Sequence, residues 1–185
     1  MKKYQIIYAD PPWKFGNRSY QDNGRKPIEP DEHYPIMNTK QICELDVEKI
    51  ADKNSALFIW TTDAHLPDCL KVIEAWGFEY RTIAFVWLKK YKSWINCVLT
   101  APWTLKSTEI CLLGIKGSPK RKINNIRAFV EAERTVHSRK PEEVRKRIEK
   151  MFGEVPKIEL FARQKTEGWD VWGNEVESDI SLELN

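Results

Sequence analysis

Apolar residues along the chain fall into short runs of two kinds. Some are strand-sized blocks: Tyr4 to Ala9, "NSALFIWTTD", "YRTIAFVWLKK", "STEICLLGIKG" and "PKIELFA". They are rich in β-branched and aromatic residues and predict buried strands. Others repeat at helical spacing. Residues 39–51 place Ile42, Leu45 and Ile50 inward with Thr39 as N-cap, and "AHLPDCLKVIEAWG" closes on Gly77 as C-cap. "KPEEVRKRIEKMFG" has Pro141 in its first turn and Val144, Ile148, Met151 and Phe152 on one face; Arg145, Lys146 and Arg147 pair there with Glu142 and Glu143 as solvated charges. Strands alternating with helices predict a single α/β domain over residues 1–185, with a mostly parallel sheet covered on both faces. The polar, Gly/Pro-rich stretch "KFGNRSYQDNGRKPIEPDEHYP" reads as a long functional loop.

With 185 residues, 42% of them hydrophobic, the chain has material for one ordinary core. No apolar run reaches membrane-spanning length, and the N-terminal run has no signal-peptide pattern, so the expected location is the cytoplasm. Cys43, Cys69, Cys97 and Cys111 are widely spaced, as are His33, His65 and His137. Four reduced thiols and no metal site are expected.

Charge changes the picture more than composition does. Lys116 to Arg147 carries eleven Lys or Arg against four Glu, although the net charge is only +3. Several of the eight Trp lie beside basic residues, as in "VWLKKYKSWIN" and "APWTLK". Positive charge attracts phosphates and aromatic faces stack unpaired bases, so nucleic acid is a candidate partner and a membrane is not.

The chemistry sits at "YADPPW". Asp10 falls where the first strand ends, and Pro11-Pro12 forbids helix or ladder pairing beyond it. Alone, the run fits either a strand terminator with a Trp folded back on the core or a site. In an open α/β sheet ligands bind at the carboxyl ends of strands, where Asp10, Thr62-Asp63, Lys116 and Arg163 are expected. A carboxylate and a carbonyl held rigidly side by side can accept both N–H bonds of an exocyclic amine and favour a more pyramidal, more nucleophilic nitrogen. Trp13 can stack on the base.

These runs, with "YPIMN", "WGFEY", "VHSRKPEEV", "KIELFAR" and "WDVWGNE" in this order, resemble the adenine-N6 methyltransferases related to the catalytic subunit of the messenger-RNA adenosine methyltransferase. The resemblance implies a Rossmann-like fold in permuted order, with the D-P-P-W motif ahead of the cofactor strand, and S-adenosyl-L-methionine as cofactor. It implies that Asp10, Pro11, Pro12 and Trp13 form the catalytic motif, with Asp10 and the Pro11 carbonyl as acceptors for the amine. Trp13, Tyr34, Glu109 and Lys140 would face the substrate; Lys116 is a substrate-side candidate from its own charge and its place at a strand exit, where a phosphate backbone could pass. Asp10, Lys140, Glu159, Leu160, Phe161, Arg163, Gln164 and Lys165 would meet the cofactor, with Asn174 and Glu175 on its ribose hydroxyls. One departure is Ala162, where the family usually has Gly after the cofactor strand. The compact length resembles bacterial and phage members that modify DNA, so DNA is expected over RNA; an inactive nucleic-acid-binding scaffold of this fold is the remaining alternative. Monomer and homodimer are both open.

Overall fold

The computed structural model describes residues 2–14, 37–99, 103–135 and 139–183. Among the described residues, seven strands form one sheet in the order β5-β3-β4-β2-β1-β6-β7. They are β1 Tyr4–Ala9, β2 Ala51–Thr61, β3 Glu79–Lys90, β4 Thr108–Lys116, β5 Phe129–Glu133, β6 Lys157–Leu160 and β7 Asp170–Trp172. Neighbours pair in parallel except where β4 meets β2 and β3, so β4 alone runs against the other six. The mostly parallel sheet is as expected. The direction of β4 reverses one expectation: its carboxyl end, at Lys116, lies opposite Ser55, far down β2 from the end that carries Thr61.

The period-two pattern of the strands builds two cores. Ile7, Ala9, Leu57, Ile59, Leu112, Ile158 and Leu160 face one side, where they meet Ile42 of α1 (Thr39–Cys43) and Cys69, Val72 and Ile73 of α2 (Leu66–Ala75). Ile6, Tyr8, Phe58, Trp60, Phe85 and Trp87 face the other, against Val144, Ile148 and Phe152 of α3 (Glu142–Phe152). Helices cover both faces. The four cysteines are free, with Cys69, Cys97 and Cys111 buried.

Three local expectations need correction. The predicted helix over 39–51 is a five-residue α1, then a 3-10 turn at Val47–Lys49, and β2 already begins at Ala51. Its N-cap is Asn38 rather than Thr39: the Asn38 side chain accepts from the Gln41 N–H at 2.9 Å, and the Gln41 side chain reciprocates. Pro141 is the N-cap of α3 rather than a first-turn residue. No helix among the described residues is long and apolar enough to cross a membrane.

Candidate active site

β1 leads the chain out of the sheet at Asp10, between the carboxyl ends of β2 and β6. The chain moves from β1 to β2 on one side and later reaches β6 and β7 on the other, so Asp10 stands where the strand order reverses. That crevice is where an open α/β sheet binds ligands. Pro11-Pro12 turns sharply: the Pro11 carbonyl accepts the Trp13 N–H at 2.9 Å, closing a three-residue turn. Pro12 accepts from Met37 and Met37 accepts from Lys14, so the residues on either side of the long connection are tied together. Trp13 is only 9% exposed; its indole donates to the Trp60 carbonyl at 3.0 Å and stacks on His65 with 5.7 Å between centroids. Its indole thus anchors the turn to the core and lines neither cavity at Asp10.

Two cavities meet at Asp10, Phe161 and Arg163. The first is completed by Pro12, Met37, Ala162, Trp172, Gly173, Asn174 and Glu175. The second is completed by Arg139, Lys140, Arg145, Glu159 and Gln164. Between them runs the turn after β6. Phe161 adopts φ 61, a left-handed conformation costly for an aromatic residue. The bond from the Ala162 N–H to the Trp172 carbonyl, at 2.9 Å, and the edge-on Phe161–Trp172 contact hold that turn in place. Gly173 is required there, because a Cβ on it would sit 2.2 Å from the Ala162 oxygen.

The electrostatics centre on Lys140. Its ammonium lies 2.9 Å from Asp10 Oδ1 and 3.1 Å from Glu109 Oε2, and 5.6 Å from the Trp60 ring centroid. Lys89 contacts the other oxygen of Glu109. Burial raises the Asp10 pKa; Lys140 pulls it back and Glu109 pushes it up again, leaving it above the usual carboxylate value. Burial works against charged Lys140, but Asp10 and Glu109 outweigh it and hold its pKa above the ordinary lysine value. Burial works against Glu109 as well, yet Lys140 and Lys89 keep its carboxyl below the usual range. A second buried pair, Arg145–Glu159 at 2.7 Å, joins α3 to β6 beneath the second cavity. Burial raises the Glu159 pKa, against the pull of Arg145.

The family model that matches covers residues 4–175 and describes MT-A70. The chain belongs to the MT-A70 family. Among MT-A70 relatives and similar proteins, the type II methyltransferase M.MunI of a Mycoplasma species is 38% identical, over 99% of this chain and 82% of its own length. An Arabidopsis thaliana N(6)-adenosine-methyltransferase MT-A70-like protein is 28% identical over 94% of this chain. Human METTL3, an N(6)-adenosine-methyltransferase catalytic subunit, is 26% identical over 95% of it. The chain spans only 24% and 28% of the length of those last two proteins.

Of the site residues that the MT-A70 resemblance implies, Asp10, Pro12, Phe161, Arg163, Asn174 and Glu175 line the first cavity, and Lys140, Glu159 and Gln164 the second. Glu109 joins through Lys140. Leu160 is fully buried in the core beneath the turn, and Lys165 is exposed toward Asp179 and Glu177. Lys116 is a correction: because β4 is antiparallel, it sits at the opposite end of the sheet, 2.9 Å from Glu48. Tyr34 lies outside the described residues. Arg145, Lys89, Met37 and Gly173 were not singled out as site residues from the sequence. For two of them the signal was present: Arg145 stands at i, i+3, i+7 with Ile148 and Phe152, and Lys89 follows Phe85 and Trp87 in strict alternation.

Proposed function

We propose that the protein transfers a methyl group from S-adenosyl-L-methionine to the N6 amine of adenine in DNA. One observation carries this reading: a half-buried carboxylate, Asp10, fixed by a buried ammonium at the strand-order reversal, between two cavities of different chemistry.

The residues present fit the cofactor. Asn174 and Glu175 offer an amide and a carboxylate suited to vicinal ribose hydroxyls, beside the apolar sides of Met37, Phe161 and Trp172. The second cavity mixes Arg139, Lys140 and Arg163 with Asp10 and Glu159, which suits the opposite charges of an amino-acid end. The close approach of Gly173 to Ala162 keeps that part of the first cavity free of a side chain. The bound cofactor supplies an electrophilic methyl group on a sulfonium.

The chain's own residues prepare the nucleophile. Lys140 occupies Asp10 Oδ1, which leaves Oδ2 to accept an N–H from the adenine amine. The Pro11 carbonyl keeps one lone pair beyond its bond to Trp13 and offers a second acceptor. Two acceptors on one nitrogen hold its lone pair toward the methyl group and away from the ring, an interaction that strengthens as the nitrogen becomes pyramidal. A base must leave its stack to reach Asp10.

The choice of DNA is supported by the relative matched over most of both lengths, a type II methyltransferase, rather than by the adenosine methyltransferases of which the chain spans about a quarter. Adenosine in RNA is the second reading, favoured by the names of the plant and human relatives. Methyl transfer to matched DNA and RNA oligonucleotides, each single- and double-stranded, with nucleoside mass spectrometry of the products, tests both. N6-methyladenine in DNA is expected; methylation confined to RNA or to cytosine overturns the proposal.

A further inference from the structure

Lys89 is a buried cation that lines neither cavity at Asp10. It is 4% exposed, and the alternation of β3 puts it on the same face as Phe85 and Trp87. Desolvating an ammonium is costly, and an apolar side chain would satisfy that position of the sheet. Its partner explains it. Glu109 stands across the ladder, paired in register with Trp87, and Lys89 Nζ donates to Glu109 Oε1 from one step along while lying 5.1 Å from the Trp87 ring centroid. The other oxygen of Glu109 takes Lys140, which also holds Asp10. Four charges therefore alternate in sign from the inner face of β3 to the end of β1.

We infer that Lys89 is a positioning residue for methyl transfer: by occupying one oxygen of Glu109, it lets Lys140 be shared with Asp10. Without that cation, Glu109 and Asp10 compete for a single ammonium. Lys140 is drawn toward Glu109, and Asp10 is left beside a less neutralised negative charge. This rests on the reading of Asp10 as acceptor of the target amine. The other groups around Asp10 among the described residues are Tyr8 on β1, Cys111 on β4, Arg139 ahead of α3, Glu159 on β6 with its partner Arg145, and Arg163 beyond β6. Replacing Lys89 leaves all of them unchanged, so a change in Asp10 behaviour would travel through Glu109 and Lys140.

The test compares Lys89→Met, Lys89→Arg, Glu109→Gln and the double variant Lys89→Met/Glu109→Gln. Methyl transfer to an adenine-containing DNA oligonucleotide is followed across pH, with thermal unfolding to establish the fold and calorimetric binding of S-adenosylhomocysteine as a readout independent of turnover. Lys89→Met should lower kcat on the order of tenfold at neutral pH, the scale of a small misplacement of a reacting group. It should also move the acid limb of the profile up by about one pH unit. Lys89→Arg should return both toward the parent values. In the Glu109→Gln background the Lys89 replacement should leave the limb where it is, because the carboxylate through which it acts is gone; this comparison serves equally if the single variant does not fold. A folded Lys89→Met with an unmoved or lowered limb overturns the inference, as does a limb that shifts in the Glu109→Gln background. Asp10→Asn run alongside separates the two readings. If it keeps full activity, the assignment of Asp10 falls; if activity is lost while the Lys89 limb stays put, only the inference about Lys89 falls.

Discussion

Asp10 accepts a hydrogen bond from an amine most strongly when it is ionised, and its surroundings decide at which pH it is. Burial and Glu109 raise its pKa while Lys140, at 2.9 Å, opposes them, so the carboxyl titrates above an ordinary aspartate. A raised acid pKa means that the charged form is lost early as pH falls. The acid limb of kcat should therefore lie at higher pH than for an unperturbed aspartate, and Lys140→Met should move it further up by removing the opposing charge. A pH profile under saturating cofactor checks both; a downward move in Lys140→Met would show that another group sets the limb. Asp10→Asn keeps the shape and removes the charged acceptor. Its single-turnover rate should fall by about a hundredfold to a thousandfold, the usual loss when one transition-state hydrogen bond is removed. Affinity for S-adenosylhomocysteine should change by only a few-fold, since the interaction is realised mainly as the nitrogen attacks. The D-P-P-W run alone fits a strand terminator as well as a site, and it is the other runs of the family, in their order, that single out Asp10. Trp13 was harder to place, since a sequence cannot say whether an indole faces a ligand or, as here, donates to Trp60.

At the scale of elements, α3 and β6 are joined by Arg145 and Glu159, a pair buried under the second cavity. Arg145→Met should destabilise the fold by about 3 kcal/mol, because it strands a buried carboxylate. Arg145→Met with Glu159→Gln should recover most of that loss in denaturant titrations; a single variant as stable as the parent would mean the pair contributes nothing. In sequence Arg145 belongs to a basic run with Lys146 and Arg147, but only those two pair along the helix surface, with Glu142 and Glu143. The charge pattern hid what the apolar spacing would have revealed. β1 and β2 are legible as near-continuous buried apolar runs, β3 and β4 as apolar runs partly in alternation, and α2 and α3 as apolar stripes at helical spacing. β5 buries only Val130 fully and β7 is three residues long, so neither produces a stripe to read. The short α1 was overextended because Ile42, Leu45 and Ile50 are all buried, yet the last two lie beyond its end. The direction of β4 was also recoverable. No helical pattern separates β3 from β4, and parallel neighbours need a crossover, so the two had to be antiparallel.

For the whole molecule, that reversal decides where nucleic acid can lie. Because β4 runs against the rest, the connection from β3 to β4 leaves the sheet at the same end as Asp10, flanked by Lys89 and Glu109. It exposes Tyr91, Trp94, Ile95, Val98 and Leu105, and Trp103 is 96% exposed. Large aromatics left in water beside a site that needs an unstacked base are suited to stacking on that base's neighbours. The basic run at Lys116, Lys120 and Arg121 leaves from the other end of β4, so the strand that enters the cleft does not need it. Replacing Trp94 and Trp103 by Ser should weaken binding of an adenine-containing DNA oligonucleotide by about 1 to 3 kcal/mol for each stacked base, as read by fluorescence anisotropy. S-adenosylhomocysteine affinity should stay at the parent value. The salt slope should also stay, because no charge has been removed and counterion release is unchanged. Neutralising Lys116, Lys120 and Arg121 together should leave affinity at the cleft close to the parent value. The opposite result, tight binding by the Trp variants and a flattened salt slope after loss of the three cations, would put the DNA track on the far end of the sheet and require the target base to reach Asp10 by another route.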